Sequence, residues 1–436
     1  MKRRSTGVFW FTHDLRLHDN PALMQTKLLV DELICVYVMD YAWQSSSLYQ
    51  QANVSAPSRR FLLESLSDLS NNLQALGQRL IVLESEATAA LSGVILESNA
   101  SAIFRSESVG WYENRVWAEL KKFKGLSFHS VDSHTLYTTN TLPFSLSDLP
   151  TTFTQFKDAV AGIESPQPIP KLGYLPPPPS AEYPAFEKVE AKAAASEYCG
   201  GESRGLAQLH QYFSGDKAQS YKDTRNAITG WDNSCKFSPW LANGCLSVRE
   251  VASTLSGYER ENKANESTYW IFFELLWREY FQWYALKNGA DLFSFAGIKK
   301  QKPLTSFYPE RFQKWVNGTT PYALVNACMN ELRATGYLSN RGRQIVASCL
   351  VNELAMDWRY GAAYFEQALV DYDVASNWGN WQYLAGVGAD PRDKRHFDLD
   401  KQTQQFDPDR RYINHWAGDN DLQSLDSVDA ADWPIG

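Results

Sequence analysis

Along the first 138 residues, apolar positions alternate between two spacings. Val8–Phe11, Leu33–Val38, Arg79–Leu83, Ala102–Phe104 and Leu126–Val131 are short, nearly continuous apolar runs, the pattern of strands buried on both faces. Between them the spacing is helical, most clearly over Arg60–Leu76, where Phe61, Leu62, Leu66, Leu69, Leu73 and Leu76 recur and Gly77 supplies a stop. Strand–helix alternation predicts a parallel, Rossmann-like sheet covered by helices, an α/β domain over residues 1–138. The first strand runs into THDLRLHDNPAL rather than GxGxxG, so a dinucleotide bound in the usual Rossmann manner is not expected.

The pattern then changes twice. Residues 139–200 carry Pro143, Pro150, Pro166, Pro168, Pro170 and the run Pro176–Pro179, which reads as a connector wrapping a surface. Over 201–436 strand signals vanish and helical periodicity dominates, as in Ser267–Leu286 and Asn340–Met356. The tail after Gly386 is polar and is expected to lie over the surface in loops.

Composition narrows the function classes. The longest apolar run, Leu33–Met39, has seven residues, against the roughly 20 a membrane-spanning helix needs. No apolar signal segment follows the basic start, and six scattered cysteines form no CxxC pair, so no metal site and no disulfide scaffold is expected. A reducing cytoplasmic location fits best. A net charge of −8 argues against a nonspecific nucleic-acid coat, although residues 280–345 hold nine basic and three acidic groups. Of 15 tryptophans 11 lie after residue 200; stacking and electron traffic are possible uses, and core packing accounts for most of them.

Four segments of the second half combine residue types that a plain helical core would not choose. Tyr221-Lys-Asp-Thr-Arg225 followed by Ser234-Cys-Lys236-Phe237-Ser238-Pro puts hydroxyls at a helix start, which suits an anion or an ordinary N-cap. Glu274, Trp277 and Arg278 fall on one helix face and could grip a heteroaromatic ring, or else form a local Glu–Arg pair. Ser339-Asn340-Arg341-Gly342-Arg343-Gln344 opens a helix with arginines on two faces. Asp371-Tyr-Asp373-Val-Ala-Ser-Asn377-Trp-Gly-Asn-Trp381 begins like a calcium loop but lacks the later ligands, so metal is rejected.

These segments, with WFTHDLRLHDNPAL near the start and FTQFK at 153–157, resemble the photolyase/cryptochrome family, most closely its DASH cryptochromes. The marks are SCKFSPWLA, ELLWRE, SNRGRQ and DYDVASNWGNWQY, in order over nearly the whole chain. The resemblance implies an α/β antenna domain and a helical domain holding FAD. Tyr221, Ser234, Lys236, Phe237 and Ser238 would line its phosphates and ribityl chain; Arg278, Asn340, Arg343, Asp371, Asp373 and Asn377 would surround the rest. Asn377 would face flavin N5, where an amide oxygen can accept the N–H of a reduced flavin. Trp381 and Trp358 match the inner members of an electron-delivering chain, whose outer tryptophan is missing ahead of Trp315; Tyr308 or Trp315 could substitute. Glu107 matches a carboxylate that binds a folate antenna, 5,10-methenyltetrahydrofolate.

For substrate, the resemblance implies a flipped cyclobutane pyrimidine dimer met by Arg225, Glu274, Trp277, Asn340, Arg341 and Gln402. Gln344 and Tyr383 stand where duplex-repairing relatives have methionine and tryptophan. Weaker stacking there implies repair of single-stranded DNA in preference to duplex. The alternative is a blue-light photoreceptor that binds DNA, RNA or protein without significant repair. A monomer is expected. Cys235 replaces a usual hydroxyl, and Asn326 and Asn330 replace a usual Asp and Arg.

Overall fold

The computed structural model describes residues 5–41, 49, 54–180, 186, 198–390 and 395–426. Its first part is a five-stranded, fully parallel sheet of β1 (Thr6–Phe11), β2 (Glu32–Asp40), β3 (Leu80–Ser85), β4 (Ala102–Ser106) and β5 (Ser127–Val131), in the order β3-β2-β1-β4-β5. Pairing is in register from Thr6 opposite Glu32 to Phe11 opposite Tyr37. The crossovers are α1 (Pro21–Leu29), α2 (Ala56–Ala75), α3 (Ala87–Ser98) and α4 (Trp111–Leu120).

Side chains of β1 alternate between two buried layers, which explains its unbroken hydrophobicity. Val8 and Trp10 pack with Leu91, Ile95 and Leu120 from α3 and α4. Phe9 and Phe11 pack with Leu23 and Phe61 in a core continuous with the helical half. Helix α2 starts where Ser55 caps it through Ser58 N and ends ahead of Gly77 at φ +74°, a left-handed position that glycine adopts without strain.

After the connector, which contains α5 (Phe153–Ala159), come α6 (Glu202–Phe213), α7 (Tyr221–Thr224), α8 (Ser238–Ala242) and α9 (Val248–Asn262). Then follow α10 (Glu266–Asn288), α11 (Pro309–Asn317), α12 (Ala323–Thr335), α13 (Asn340–Asn352), α14 (Trp358–Ala368) and α15 (Val374–Leu384). The tail is not all loop as expected: α16 (Leu399–Phe406) and α17 (Arg411–His415) lie within it. Helix α16 has no buried residue, which is why its sequence gave no apolar signal. No helix among the described residues is long and apolar enough to cross a membrane.

The THDLRLHD stretch knots the two halves together. Buried Arg16 donates to the carbonyls of His18, Asp19, Ser133 and Gly244 at 2.7 to 3.1 Å. Glu202 at the start of α6 accepts from the Leu17 and His18 amides and from His18 Nδ1. Asp14 accepts from Ser106 Oγ at 2.6 Å and from the Thr12 amide at 2.9 Å. Sheets of this order bind ligands where the strand order reverses, here between β1 and β4. Buried Asp14, just past β1, and buried Ser106, at the end of β4, hydrogen-bond to each other there.

Candidate functional site

Arg343, in the first turn of α13, reaches back to α8 and the α14–α15 loop. The hydroxyl of Ser339 caps the helix through Gly342 N at 3.1 Å, fixing where Arg343 leaves it. Arg343 Nη2 donates to both oxygens of Asp371 at 2.9 and 2.7 Å, and Nε donates to the Leu338 carbonyl at 2.8 Å. Burial works against this charge, and Asp371 outweighs it, so the guanidinium is held above its usual range. Ser238 donates its hydroxyl to Asp371 at 2.6 Å instead of capping α8. Beside it the Lys236 backbone is left-handed, at φ +58°, and its ammonium sits 4.8 Å over the Tyr337 ring. Tyr221 and Phe237 are buried, while Ser234 is half-buried.

Asp373 caps α15 by accepting from Ser376 N at 2.7 Å and binds the Gln282 amide through both oxygens at 3.0 Å. Four residues on, Asn377 donates Nδ2 to the Ala362 carbonyl at 2.9 Å, which leaves Oδ1 as the acceptor it offers. Arg278 donates to the His134 carbonyl at 2.7 Å. The local Glu274–Arg278 pair is therefore not formed; Glu274 pairs with Arg225.

That Glu274–Arg225 pair belongs to a hollow with aromatic walls. The Arg225 guanidinium lies 4.3 Å over the Trp270 ring. Burial pushes the Glu274 carboxyl up, against the pull of Arg225, yet 32% of its side chain stays accessible. A group both enclosed and wet lines a concavity rather than a convex helix face. Trp277 stacks on Phe153 at 3.7 Å and 10°, and meets Tyr383 edge-on at 5.8 Å. Arg341 donates to Asn226 at 3.3 Å and lies 4.6 Å over Phe406 of α16. Nε of Arg225, Nε of Arg341 and Oε1 of Gln402 are buried without hydrogen-bond partners. Orphaned donors and acceptors of this kind cost free energy unless something fills the space beside them. Asn340 is exposed and Gln344 half-buried. Tyr383 is covered: Arg395 donates to its hydroxyl, lies 4.5 Å over its ring and is pinned by Asp390 at 2.6 Å.

Behind this wall lies an aromatic cluster. Trp381 is 2% and Trp358 0% exposed. Trp381 contacts Phe365 at 5.2 Å and Trp315 at 6.4 Å, whereas Trp358 contacts Trp378 at 5.8 Å. Tyr308 is 42% exposed and pairs with Arg311. In the other half, Glu107 follows β4, half-buried, its carboxyl pushed up by burial and then by Asp132.

Sequence reasoning missed several partners. Phe153 of FTQFK is the stacking partner of Trp277, a segment the sequence singled out without a role. Gln282, Asn226, Arg395 and Phe406 carried no signal, because their partners are remote in the chain. Asn326 bonds Thr320 three times and the Gly418 carbonyl once, at 2.6 to 3.0 Å, while Asn330 bonds the Trp416 carbonyl at 2.9 Å. Both are fully engaged without an ion pair. Cys235 is buried in the core, its thiol pushed up to about 12 by burial.

Residues 7–176 match the family model described as DNA photolyase, and residues 270–429 the one described as FAD binding domain of DNA photolyase. A cryptochrome DASH of Idiomarina loihiensis is 51% identical over 98% of this chain and 96% of its own length. The crystal structure of a Synechocystis cryptochrome superposes with a TM-score of 0.88 at 38% identity, over 95% of this chain and 89% of that one. A class III photolyase of Agrobacterium tumefaciens superposes at 0.79 with 25% identity, over 95% and 87%. The residues present fit FAD: a lysine and hydroxyls beside a half-buried arginine, two carboxylates able to accept ring N–H groups or hydroxyls, and an amide offering its oxygen. With the sheet, the helical half and these matches together, the chain belongs to the photolyase/cryptochrome family, within its cryptochrome DASH branch, and is a flavoprotein that binds FAD.

Proposed function

We propose that this flavoprotein uses blue light to repair cyclobutane pyrimidine dimers, preferentially in single-stranded DNA. The observation that carries the reading is the hollow bounded by Glu274, Arg225, Trp270, Trp277 and Arg341, where buried nitrogens of both arginines lack partners. Pyrimidine carbonyls would satisfy those donors, Glu274 would accept from ring N–H, and Trp277 would stack on the lesion. Asn340 and Gln402 complete the polar rim, and 5′ and 3′ phosphates would meet Arg225 and Arg341.

Reduced FAD, when bound, supplies the electron that opens the dimer after excitation. The protein's residues would hold and orient that group. Asn377 would accept the N5–H, its orientation fixed by Ala362. Arg278, Asn340, Arg343, Asp371 and Asp373 would hold the ring system, and Tyr221, Ser234, Lys236, Phe237 and Ser238 the chain and phosphates. Trp381 and Trp358 would deliver electrons to the excited oxidised cofactor. Glu107 would hold a folate antenna of the 5,10-methenyltetrahydrofolate type.

Strand preference follows from the lesion's wall. Arg395 covers one face of Tyr383, so this ring has less surface to offer a base than a free indole would. Base stacking is worth about 1–3 kcal/mol, comparable with the few kcal/mol needed to flip a dimer from a duplex. Losing it leaves single strands as substrates, since they need little unstacking. Repair of one dimer in single-stranded and fully paired oligonucleotides under equal light tests this; equal rates would refute the preference. Flavin photoreduction with no repair of either would favour the photoreceptor reading, with DNA or RNA bound but unaltered.

A further inference from the structure

Residues 302–314 hold no tryptophan, so the chain lacks an outer donor beyond Trp358 in that segment. The structure contains another indole beside Trp358. Trp378, one turn before Trp381 on α15, meets Trp358 edge-to-face at 5.8 Å and is only 5% exposed. Rings in contact at this separation exchange electrons readily. What distinguishes Trp378 is its N–H. Trp315 donates its indole proton to the Val346 carbonyl at 3.0 Å and Trp358 to the Phe295 carbonyl at 3.1 Å. Trp378 donates to a Glu366 carboxylate oxygen at 3.1 Å.

The difference is chemical. An indole that loses an electron becomes a far stronger N–H acid. A backbone carbonyl cannot take that proton, whereas a carboxylate can. A hole on Trp315 or Trp358 therefore stays a radical cation and runs back to its donor, while one on Trp378 can be trapped by proton transfer. Tyr372 shares the Glu366 neighbourhood, its phenol held well above its usual range by burial and by the Glu366 charge. Its hydroxyl also lies within hydrogen-bond reach of Trp378, and the Glu366 carboxylate oxygen at 3.1 Å is the base that the Trp378 N–H meets. Beyond Trp378 the ring of Phe293 follows at 4.8 Å, and then Tyr112 at 6.0 Å, 64% exposed on α4.

We propose that Trp378, with Glu366 as the base that receives its indole proton, is the third electron donor of this chain. One electron passes from Trp378 to oxidised Trp358, returning Trp358 to a neutral indole. The Nε1–H bond of Trp378 breaks, its electron pair stays on nitrogen, and the proton moves to Glu366. The oxidant that starts the sequence is excited FAD acting through Trp381. A small-molecule thiolate later restores Trp378 by giving one electron and becoming a thiyl radical, while the proton returns from Glu366 to the indole nitrogen. The inference rests on the Trp381–Trp358 pathway proposed above.

Flash excitation of the FAD-loaded chain, with time-resolved absorption of tryptophan radicals, tests it. The unmodified protein should form a neutral, deprotonated radical. Trp378→Phe keeps the ring and the packing but should remove that signal and shorten charge separation by about tenfold or more. Glu366→Gln keeps a hydrogen-bond acceptor but no base, and should give a radical cation in place of the neutral species. Unchanged flavin absorption in both variants shows that the fold and cofactor are retained. Decay and spectrum unaltered in Trp378→Phe would overturn the proposal, and shortening confined to Trp315→Phe would do the same. No tryptophan radical in the unmodified chain would sink the Trp381–Trp358 pathway itself, a separate and visible failure.

Discussion

Gly361→Ala tests how tightly the inner tryptophan is held. Gly361 lies on α14 one turn after Trp358, with the Trp381 indole packed on its Cα. A Cβ built there would stand 2.2 Å from Trp381 Cη2 and 2.6 Å from Cζ3. Ordinary contact begins near 3.4 Å, so the ring would have to retreat by 3.4 − 2.2 = 1.2 Å. Phe365 at 5.2 Å and Trp315 at 6.4 Å leave it no free side. Overpacking of this kind costs about 1–3 kcal/mol, and alanine recovers up to about 1 kcal/mol of helix propensity. With the full propensity gain, the net expectation is a loss of up to about 2 kcal/mol. Gly257, in the middle of α9, is the matched control: its Cβ would meet only Arg260 Nη2 at 3.7 Å. There the same substitution should stabilise by up to about 1 kcal/mol. Urea unfolding of both variants, with the rate of flavin photoreduction in the same samples, is the assay. Gly361→Ala should unfold earlier and photoreduce more slowly, and Gly257→Ala should do neither. If the two variants were equally stable and equally photoreducible, the reasoning from this contact would be wrong.

Three further outcomes follow from the site. Glu274→Gln leaves Arg225 without its counter-charge and should weaken binding of a dimer-containing single strand by about 2 kcal/mol or more, measured by titration, with FAD content unchanged. Asp371→Asn breaks charge-assisted bonds from Arg343 and the bond from Ser238, so the ratio of bound FAD to protein after purification should fall about tenfold. Glu279 is buried and accepts from the Leu136 and Tyr137 amides and from Trp283 Nε1, and burial pushes it from 4.5 to about 7. The folded chain then keeps a proton that the unfolded chain releases, so this group's stabilisation is full below about pH 4.5 and is lost as pH rises toward 7. The loss is at most about 3 kcal/mol. Urea midpoints at pH 5 and pH 8 should differ less in Glu279→Gln than in the unmodified protein.

Much of the fold was legible because burial writes itself into local pattern. All five strands were visible as apolar runs, most plainly β1, β2 and β4, which the helix layers bury on both faces; the edge strand β5 has no buried residue and shows only in its Leu126, Phe128 and Val131. Helix α2 began four residues before the expected Arg60, because its first turn, Ala56-Pro-Ser-Arg59, carries no large apolar residue and is set by the Ser55 cap. Helix α16 was invisible, since it buries no residue fully and meets the body through half-buried Leu399 and through Phe406 under Arg341. The same holds for the site. Residues at fixed short spacing, such as Glu274 with Trp277 or Asp371 with Asp373, could be singled out from the sequence. What they touch could not: Arg225 is 49 positions from Glu274, and Glu202 is 184 from His18. Such pairings depend on how helices cross, and no local period records that.

The central claim is that the helical half holds reduced FAD close enough to an everted lesion to give it an electron. The direct measurement takes the purified chain with its flavin chemically reduced under anaerobic conditions and adds a single-stranded oligonucleotide carrying one cyclobutane dimer. The sample is then illuminated with blue light. Restoration of the two pyrimidines in the light and none in the dark is the predicted result. A dimer left intact, with flavin demonstrably bound and reduced throughout, would contradict it.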